Sequence, residues 1–284
     1  MDYQHFIDQT TESFKKNSIH SARLDSLLIL EKITNKDKAY ILAHPEQMLT
    51  DIQMSQLTIL CQKRLSGQPV AYLLGNKEFY GRKFLVDERV LIPRPDSEMV
   101  IDQLKNILQN KTHVAEDGPP QHGNGNRQWN LLDVGTGSGC LAITAKLELP
   151  NIDVIASDIS NDVIDLAKTN AKNLQADINF IQSDMFSNIT GKFDIIIANL
   201  PYVPDGFDVS NDVKAEPAMA LYSGIGGLDH IRRFMSEYRE YANTHTVVLL
   251  ESLAIQHQQI TKLAQKNGLV WHKTVDLIQV FTAV

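Results

Sequence analysis

Cysteine is almost absent: of 284 residues only Cys61 and Cys140 are cysteines, far apart and in no CxxC pair. That excludes a disulfide framework and a thiolate zinc site, and it points to a reducing compartment. The histidines form no HxxxH or HExxH spacing, so no metal is expected. Nor does any apolar run approach the roughly 20 residues that a membrane-spanning helix needs. The N-terminus, MDYQHFIDQTTESFKK, carries acidic residues and lacks the apolar stretch of a signal peptide. A cytoplasmic protein that contacts no membrane is expected, and a monomer. Positive charge is also scarce, with a formal net charge of -7. Residues 1–95 hold 13 Lys and Arg against 11 Asp and Glu, whereas residues 96–284 hold 14 against 23. The acidic second part lacks the basic footprint of a protein that grips nucleic acid phosphates, so a protein or small-molecule substrate is favoured.

What is present fits two domains, since the chain is 43% apolar and exceeds the roughly 100–200 residues of one typical domain. The first seventy or so residues read as helices. In SARLDSLLILEKIT, Leu24, Leu27 and Leu28 recur at helical spacing behind Ser21 as the expected N-cap. In TDIQMSQLTILCQKRLSG, Thr50 and Gln53 form a capping box and Gly67 can close the helix. Residues 1–75 are therefore expected to be a small helical bundle. KEFYGRKFLVDE reads as a β-hairpin with its turn near Gly81 and Arg82, and the two prolines of VLIPRPDSE end any strand before a new helix. Residues 76–95 are thus a connector. The stretch from Asn110 to Gln128 is rich in Gly, Pro, Asn and His and reads as a surface loop with no assigned function.

From Trp129 onward strand-like and helix-like pieces alternate, the mark of a mainly parallel sheet with helices on both faces. The expected strands are NLLDV, IDVIAS, INFIQ, FDIIIAN, HTVVLLES, LVWHKTV and LIQVFTA. Between them lie helical patterns such as CLAITAKLEL and SNDVIDLAKTNAKNL. Residues 96–284 make one α/β domain on this reading.

Four places in that domain carry chemistry. In LLDVGTGSGCLAI a buried strand ends at Asp133, and Gly135, Thr136, Gly137, Ser138 and Gly139 form a turn before a helix. Alternate glycines let backbone approach a ligand at the carboxyl ends of the strands, where open α/β sheets bind. Cys140 stands where a dinucleotide fingerprint needs glycine, and no Lys-Ser/Thr follows to make a P-loop. A plain tight turn is the alternative. Asp158 ends the next strand, 19 residues past Gly139, where a carboxylate can accept from both ribose hydroxyls. It could equally cap the following helix, a role for which Ser160 is better placed. In IQSDMF, Asp184 can accept from an adenine amino group while Met185 or Phe186 covers the ring, although Met or Phe after a strand is usually core.

The fourth place is FDIIIANLPYV, which delivers Asn199, Leu200, Pro201 and Tyr202 to the same sheet edge. A planar amide or exocyclic amine is a poor nucleophile, because its nitrogen lone pair is delocalised. A site for it must accept its hydrogens and aim its nitrogen. The Asn199 side-chain oxygen and the Leu200 carbonyl are two such acceptors, and Tyr202 can stack on the planar group. Neither a metal nor a covalent intermediate is required.

Asp133 to Gly139, Asp158, Asp184 and Asn199 to Tyr202 together resemble the motifs of class I methyltransferases that modify amide or exocyclic nitrogens. GQPVAYLLGNKEFYGRKFLVDERVLIPRPDSE, from Gly67 to Glu98, closely resembles the segment joining the two domains of the HemK-type release factor glutamine methyltransferases. EPAMAL and GGLDHI resemble that family as well. The resemblance implies a Rossmann-like, mainly parallel seven-stranded sheet preceded by the helical bundle and the hairpin. It implies S-adenosylmethionine as cofactor and methylation of the glutamine in the Gly-Gly-Gln motif of class 1 peptide chain release factors, which the helical domain would dock. It assigns Gly135, Thr136, Gly137, Ser138, Gly139, Asp158, Asp184, Met185 and Asn199 to the cofactor, and Asn199, Leu200, Pro201 and Tyr202 to the glutamine. Arg94 and Glu98 would line the methionine end or serve structure alone. The alternatives are a glutamine of a ribosomal protein and an adenine of a nucleic acid. The family usually reads NPPY where this chain reads NLPY, a spelling also seen in ribosomal RNA adenine dimethyltransferases. VLLESLAIQ lacks the glycine that usually follows the strand-end acid.

Overall fold

A computed structural model describes residues 1–111 and 128–284. Of the surface loop expected from Asn110 to Gln128, residues 112–127 lie outside the described residues, and Asn110 and Lys111 complete a helix. The chain divides into two compact units. One is Met1–Lys77 together with Val209–Ala215, and the other is Glu78–Asp208 with Glu216–Val284.

The first unit begins with five helices: α1 Tyr3–Lys16, α2 Ala22–Thr34, α3 Lys38–Ala43, α4 Asp51–Leu65 and α5 Val70–Leu74. The carboxylate of Asp2 accepts from the His5 N–H and starts α1, which buries Tyr3, Phe6, Ile7 and Phe14 at helical spacing. Ser21 does occupy the N-cap of α2, yet its side chain makes no capping bond, because its backbone is not extended (φ -85°, ψ 17°). The buried stripe of α2 is Leu27, Ile29 and Leu30, while Leu24 faces solvent. The capping box of α4 is present, with Thr50 N–H donating to Gln53 Oε1 (3.0 Å) and Gln53 N–H to Thr50 Oγ1 (3.2 Å). Within this apolar bundle lies one buried ion pair, Arg64 Nε to Asp25 Oδ2 at 2.7 Å. The same guanidinium holds Asp212 with both terminal nitrogens, at 2.7 and 2.8 Å. Asp212 explains why Val209–Ala215 packs with helices that lie far away in sequence.

The hairpin strands β1 Asn76–Phe79, whose first two residues close the first unit, and β2 Arg82–Leu85 meet at Tyr80 and Gly81, one residue before the expected turn. Both turn residues have positive φ (50° and 73°), the requirement of the two-residue turn that matches strand twist. Tyr80 is held there by α6 Glu98–Lys111: its N–H donates to Glu98 Oε1 and its hydroxyl to Asp102, each at 2.8 Å. Then follow β3 Trp129–Val134, α7 Cys140–Glu148, β4 Ile152–Asp158, α8 Asn161–Leu174, β5 Asn179–Gln182 and β6 Phe193–Ala198. After α9 Asn211–Lys214, which belongs to the first unit, come α10 Ala218–Leu221, α11 Asp229–Glu237 and β7 Ala242–Glu251. The chain closes with α12 His257–Lys266, β8 Leu269–Val275 and β9 Ile278–Ala283.

Seven strands form one sheet in the order β5-β4-β3-β6-β7-β9-β8, parallel from β5 to β7 and antiparallel at β9 and β8. Leu131, Ile195, Ile197, Val247 and Leu249 are buried in one apolar layer, and Leu132, Val134, Ile196, Val248 and Leu250 in the other. Burial on both faces is why these strands are continuous apolar runs. The strand order reverses between β3 and β6, which pair in parallel with Val134 beside Ala198. Gly135 and Asn199, the next residue of each strand, therefore begin side by side at the switch point, where such sheets open a crevice.

Asp133 is the one acid inside β3. Thr136 Oγ1 donates to its Oδ2 at 2.7 Å, whereas Oδ1 has no hydrogen-bond partner among the described residues. Burial pushes this carboxyl up to about 6, and the Thr136 bond only partly opposes it. A raised folded value means that its contribution is fully present below the ordinary carboxylate range and is lost as pH rises through 6. Asp133→Asn keeps the shape without the charge. Urea unfolding should therefore show wild type losing about 1–1.5 kcal/mol relative to Asp133→Asn between pH 5 and pH 8. An equal gap at both pH values would contradict the burial of a charge there.

Candidate active site

The crevice is a cleft of about 390 Å³ lined by residues from Gly135 to Ser138, by Asp158, Asp184 and Met185, and by Asn199, Leu200 and Pro201. That is the size of a small-molecule site. Its floor is the glycine turn, fastened to β4 by Gly135 N–H and Thr136 N–H, which both donate to the Ser157 carbonyl (2.9 and 2.8 Å). Two of the glycines are set by contact. Gly135 has φ 75°, and a Cβ there would lie 3.1 Å from Leu200 Cδ2, so its bareness lets the loop after β6 close on the turn. Gly139, with φ 81°, would set a Cβ 2.9 Å from Ile143 Cδ1 and 3.3 Å from Ala167 Cβ, so it is what allows α7 to pack on α8.

Asp158 ends β4 and ties two loops together. Its Oδ2 accepts from Gly137 N–H and its Oδ1 from Ser160 N–H, both at 3.1 Å, and burial raises its proton affinity against these bonds. Ser160 is the N-cap of α8, its side chain accepting from Val163 N–H. Met185 reaches the cleft from a left-handed backbone (φ 52°), an uncommon conformation for a non-glycine residue. Asp184 beside it is about half exposed and is ion-paired to Arg233 on α11, which also lines the cleft.

The loop after β6 is held from behind. Asn199 Nδ2 donates to Ser97 Oγ at 3.2 Å, and Tyr202 hydroxyl donates to Glu251 Oε1 at 3.0 Å. Tyr202 is not among the residues that line the cleft, and burial, with Glu251 close by, pushes its phenol well above the ordinary range. Its carbonyl accepts from Gln256 Nε2 (2.8 Å), which reaches the Gly226 and Gly227 carbonyls as well. Gly227 lies so close that a Cβ would come within 2.2 Å of the Tyr202 carbonyl oxygen. One amide side chain and one bare glycine thus fix the backbone of this loop at Tyr202.

Of the two IPRP-segment residues, Arg94 lines the cleft and is paired to Glu216, a buried acid that also accepts from Ile92 N–H at 2.9 Å. Glu98 instead receives Tyr80 N–H and contributes nothing to the lining. The structure adds Arg233, Ser97 and Gln256 to the residues that reading the sequence brought forward, and it gives the strand-end acid Glu251 its partner, Tyr202. Only Glu251 leaves a signal in sequence, as an acid that ends the apolar run VVLL. The others sit on polar faces or turns, where no periodicity marks them.

Two family descriptions match the chain: PrmC N-terminal domain over residues 5–75 and Methyltransferase small domain over residues 121–217. The release factor glutamine methyltransferase of Haemophilus influenzae is 34% identical over 278 residues, covering 94% of this chain and 92% of that protein. A bifunctional methyltransferase of Rickettsia bellii is 31% identical over 284 residues, covering 94% of this chain and 51% of that protein. The chain spans about half of the latter. Among solved structures, the hMettl16 catalytic domain in complex with MAT2A 3'UTR hairpin 6 shares the fold, with a TM-score of 0.50 at 11% identity over 79% of this chain and 90% of that one.

Proposed function

Because this chain belongs to the release factor glutamine methyltransferase family, we propose that it methylates the side-chain amide nitrogen of the glutamine in the Gly-Gly-Gln motif of class 1 release factors. The product is N5-methylglutamine. The observation that carries this reading is the pairing of the glycine turn with the Asn199–Tyr202 corner at one switch point, since Gly135 and Asn199 follow paired residues of β3 and β6. S-adenosylmethionine supplies a methyl group on a sulfonium that is already a good leaving group.

The cleft suits that cofactor in its chemistry. Asp158 offers carboxylate oxygens to ribose hydroxyls, Met185 an apolar surface to the adenine, and Arg94 a cation to the carboxylate of the methionine end. Asp184 would serve the adenine amino group with the oxygen that Arg233 leaves. At the acceptor, Asn199 Oδ1 and the Leu200 carbonyl accept hydrogen bonds from the two amide N–H groups, which turns the nitrogen toward the methyl group. As the N–C bond forms the S–C bond breaks, the neutral thioether leaves and one N–H proton is released. Little beyond positioning is required of the protein. All of these groups come from one chain, so a monomer suffices, and the acidic balance of residues 96–284 disfavours a nucleic acid acceptor.

The deciding experiment incubates the protein with labelled cofactor and a release factor, then repeats it with the glutamine of Gly-Gly-Gln replaced. Label should enter only the first, and transfer that survives the replacement would refute the acceptor. For the cofactor side, Asp158→Ala should weaken S-adenosylmethionine binding about tenfold or more in calorimetry, the scale of one charged hydrogen-bonding group. An unchanged dissociation constant would count against its ribose role.

A further inference from the structure

Glu251 ends β7 behind the acceptor loop and is 2% exposed. A buried carboxylate is costly unless its lone pairs are used. Here Oε1 accepts from the Tyr202 hydroxyl at 3.0 Å, while Oε2 is buried with no hydrogen bond of good geometry among the described residues. Burial raises the proton affinity of this carboxyl, and the neighbouring Ser97, Tyr202 and Asn199 side chains act against that rise.

An asparagine amide has an oxygen end and a nitrogen end of nearly the same shape, and only its partners decide which way it faces. Ser97 cannot decide alone, because a hydroxyl both donates and accepts. An ionised carboxylate only accepts. The 3.2 Å bond observed has Asn199 Nδ2 donating to Ser97 Oγ, and an acceptor-only group beside Ser97 favours that direction, because it attracts the Ser97 hydroxyl proton and leaves Oγ to accept. The Asn199 oxygen is then left for the cleft.

We propose that Glu251 is a positioning residue: as an acceptor-only group it fixes the polarity of the Ser97–Asn199 chain, so that Asn199 Oδ1 faces the amide to be methylated. This rests on the acceptor role of Asn199 proposed above. Glutamine at 251 would still accept from Tyr202, but its amide N–H could donate toward Ser97 or Asn199. Either orientation of the Asn199 amide would then be satisfied.

The test is a double-mutant cycle of Glu251→Gln and Asn199→Ala in the full chain. It reads methyl transfer to a release factor and, by calorimetry, cofactor affinity. Glu251→Gln should lower kcat about tenfold or more while cofactor affinity stays within about twofold. In the Asn199→Ala background it should cost less than about twofold, because the group that it orients is gone. A residue that only supports the fold would lower activity equally in both backgrounds, and that result would overturn the proposal, as would a fully active Glu251→Gln. If Asn199→Ala is itself fully active, the acceptor reading fails instead. Should Glu251→Gln not fold, Ser97→Ala cuts the same chain at its middle link. It should lower kcat in the wild-type background and leave Asn199→Ala unchanged, and losses that multiply would again overturn the proposal.

Discussion

Replacing Asn199 by alanine should leave S-adenosylmethionine affinity within a few-fold of wild type and cut turnover by about 100-fold or more, the scale for losing one oriented polar group. The split follows from position. Asn199 lines the cleft, but its amide nitrogen is bonded to Ser97, on the protein side. On the proposed reading, alanine removes the oxygen that accepts from the acceptor amide and little that would hold the cofactor. Single-turnover transfer at saturating cofactor, set beside calorimetry, checks both halves. Turnover close to wild type would remove Asn199 from the reaction, and a large loss of cofactor affinity would move its role to binding.

The reaction type was legible in the sequence because it depends on short motifs whose backbone the strands deliver directly. Apolar runs such as NLLDV and FDIIIA announced strands buried on both faces, and the motif after each run lands at a strand end. The mainly parallel seven-stranded sheet expected from that alternation is the one found. Less legible were features decided by long-range partners. The turn of the hairpin falls at Tyr80, which tolerates a positive φ because Glu98 and Asp102 bind it from α6, and nothing local to KEFYGRK reveals that. Ser21 has the right residue type for a cap but not the extended backbone that aims a hydroxyl into the helix.

The site shows the same division. The glycine turn and Asn199 to Tyr202 each follow directly on a strand end, and so could be singled out in sequence. Arg233, which engages Asp184, and Gln256, which spans three carbonyls of the acceptor loop and its neighbour, are separated from their partners by 49 and 54 residues. Tyr202 was expected to stack on the planar acceptor. Its hydroxyl donates to Glu251, a partner 49 residues away, and so ties the loop to the end of β7.

Arg64 gives the second large expectation, this time in stability. Arg64→Met removes a guanidinium that is 2% exposed and leaves Asp25, 1% exposed, as a buried carboxylate without its cation. Breaking a buried pair from one side costs about 3–5 kcal/mol, because the remaining charge keeps its desolvation penalty and loses its partner. Asp212 is the other ligand of Arg64, but its side chain is 44% exposed. Asp212→Ala should therefore cost about 1 kcal/mol or less, since water can replace much of what it offers. Equilibrium urea unfolding of the two variants should thus separate them clearly, with Arg64→Met far the weaker. The double variant Arg64→Met with Asp25→Leu should recover most of the loss, because no unpaired charge is left inside. If Arg64→Met lay within about 1 kcal/mol of wild type, or if the double variant fell further, Arg64 and Asp25 could not be a buried pair whose charges depend on each other.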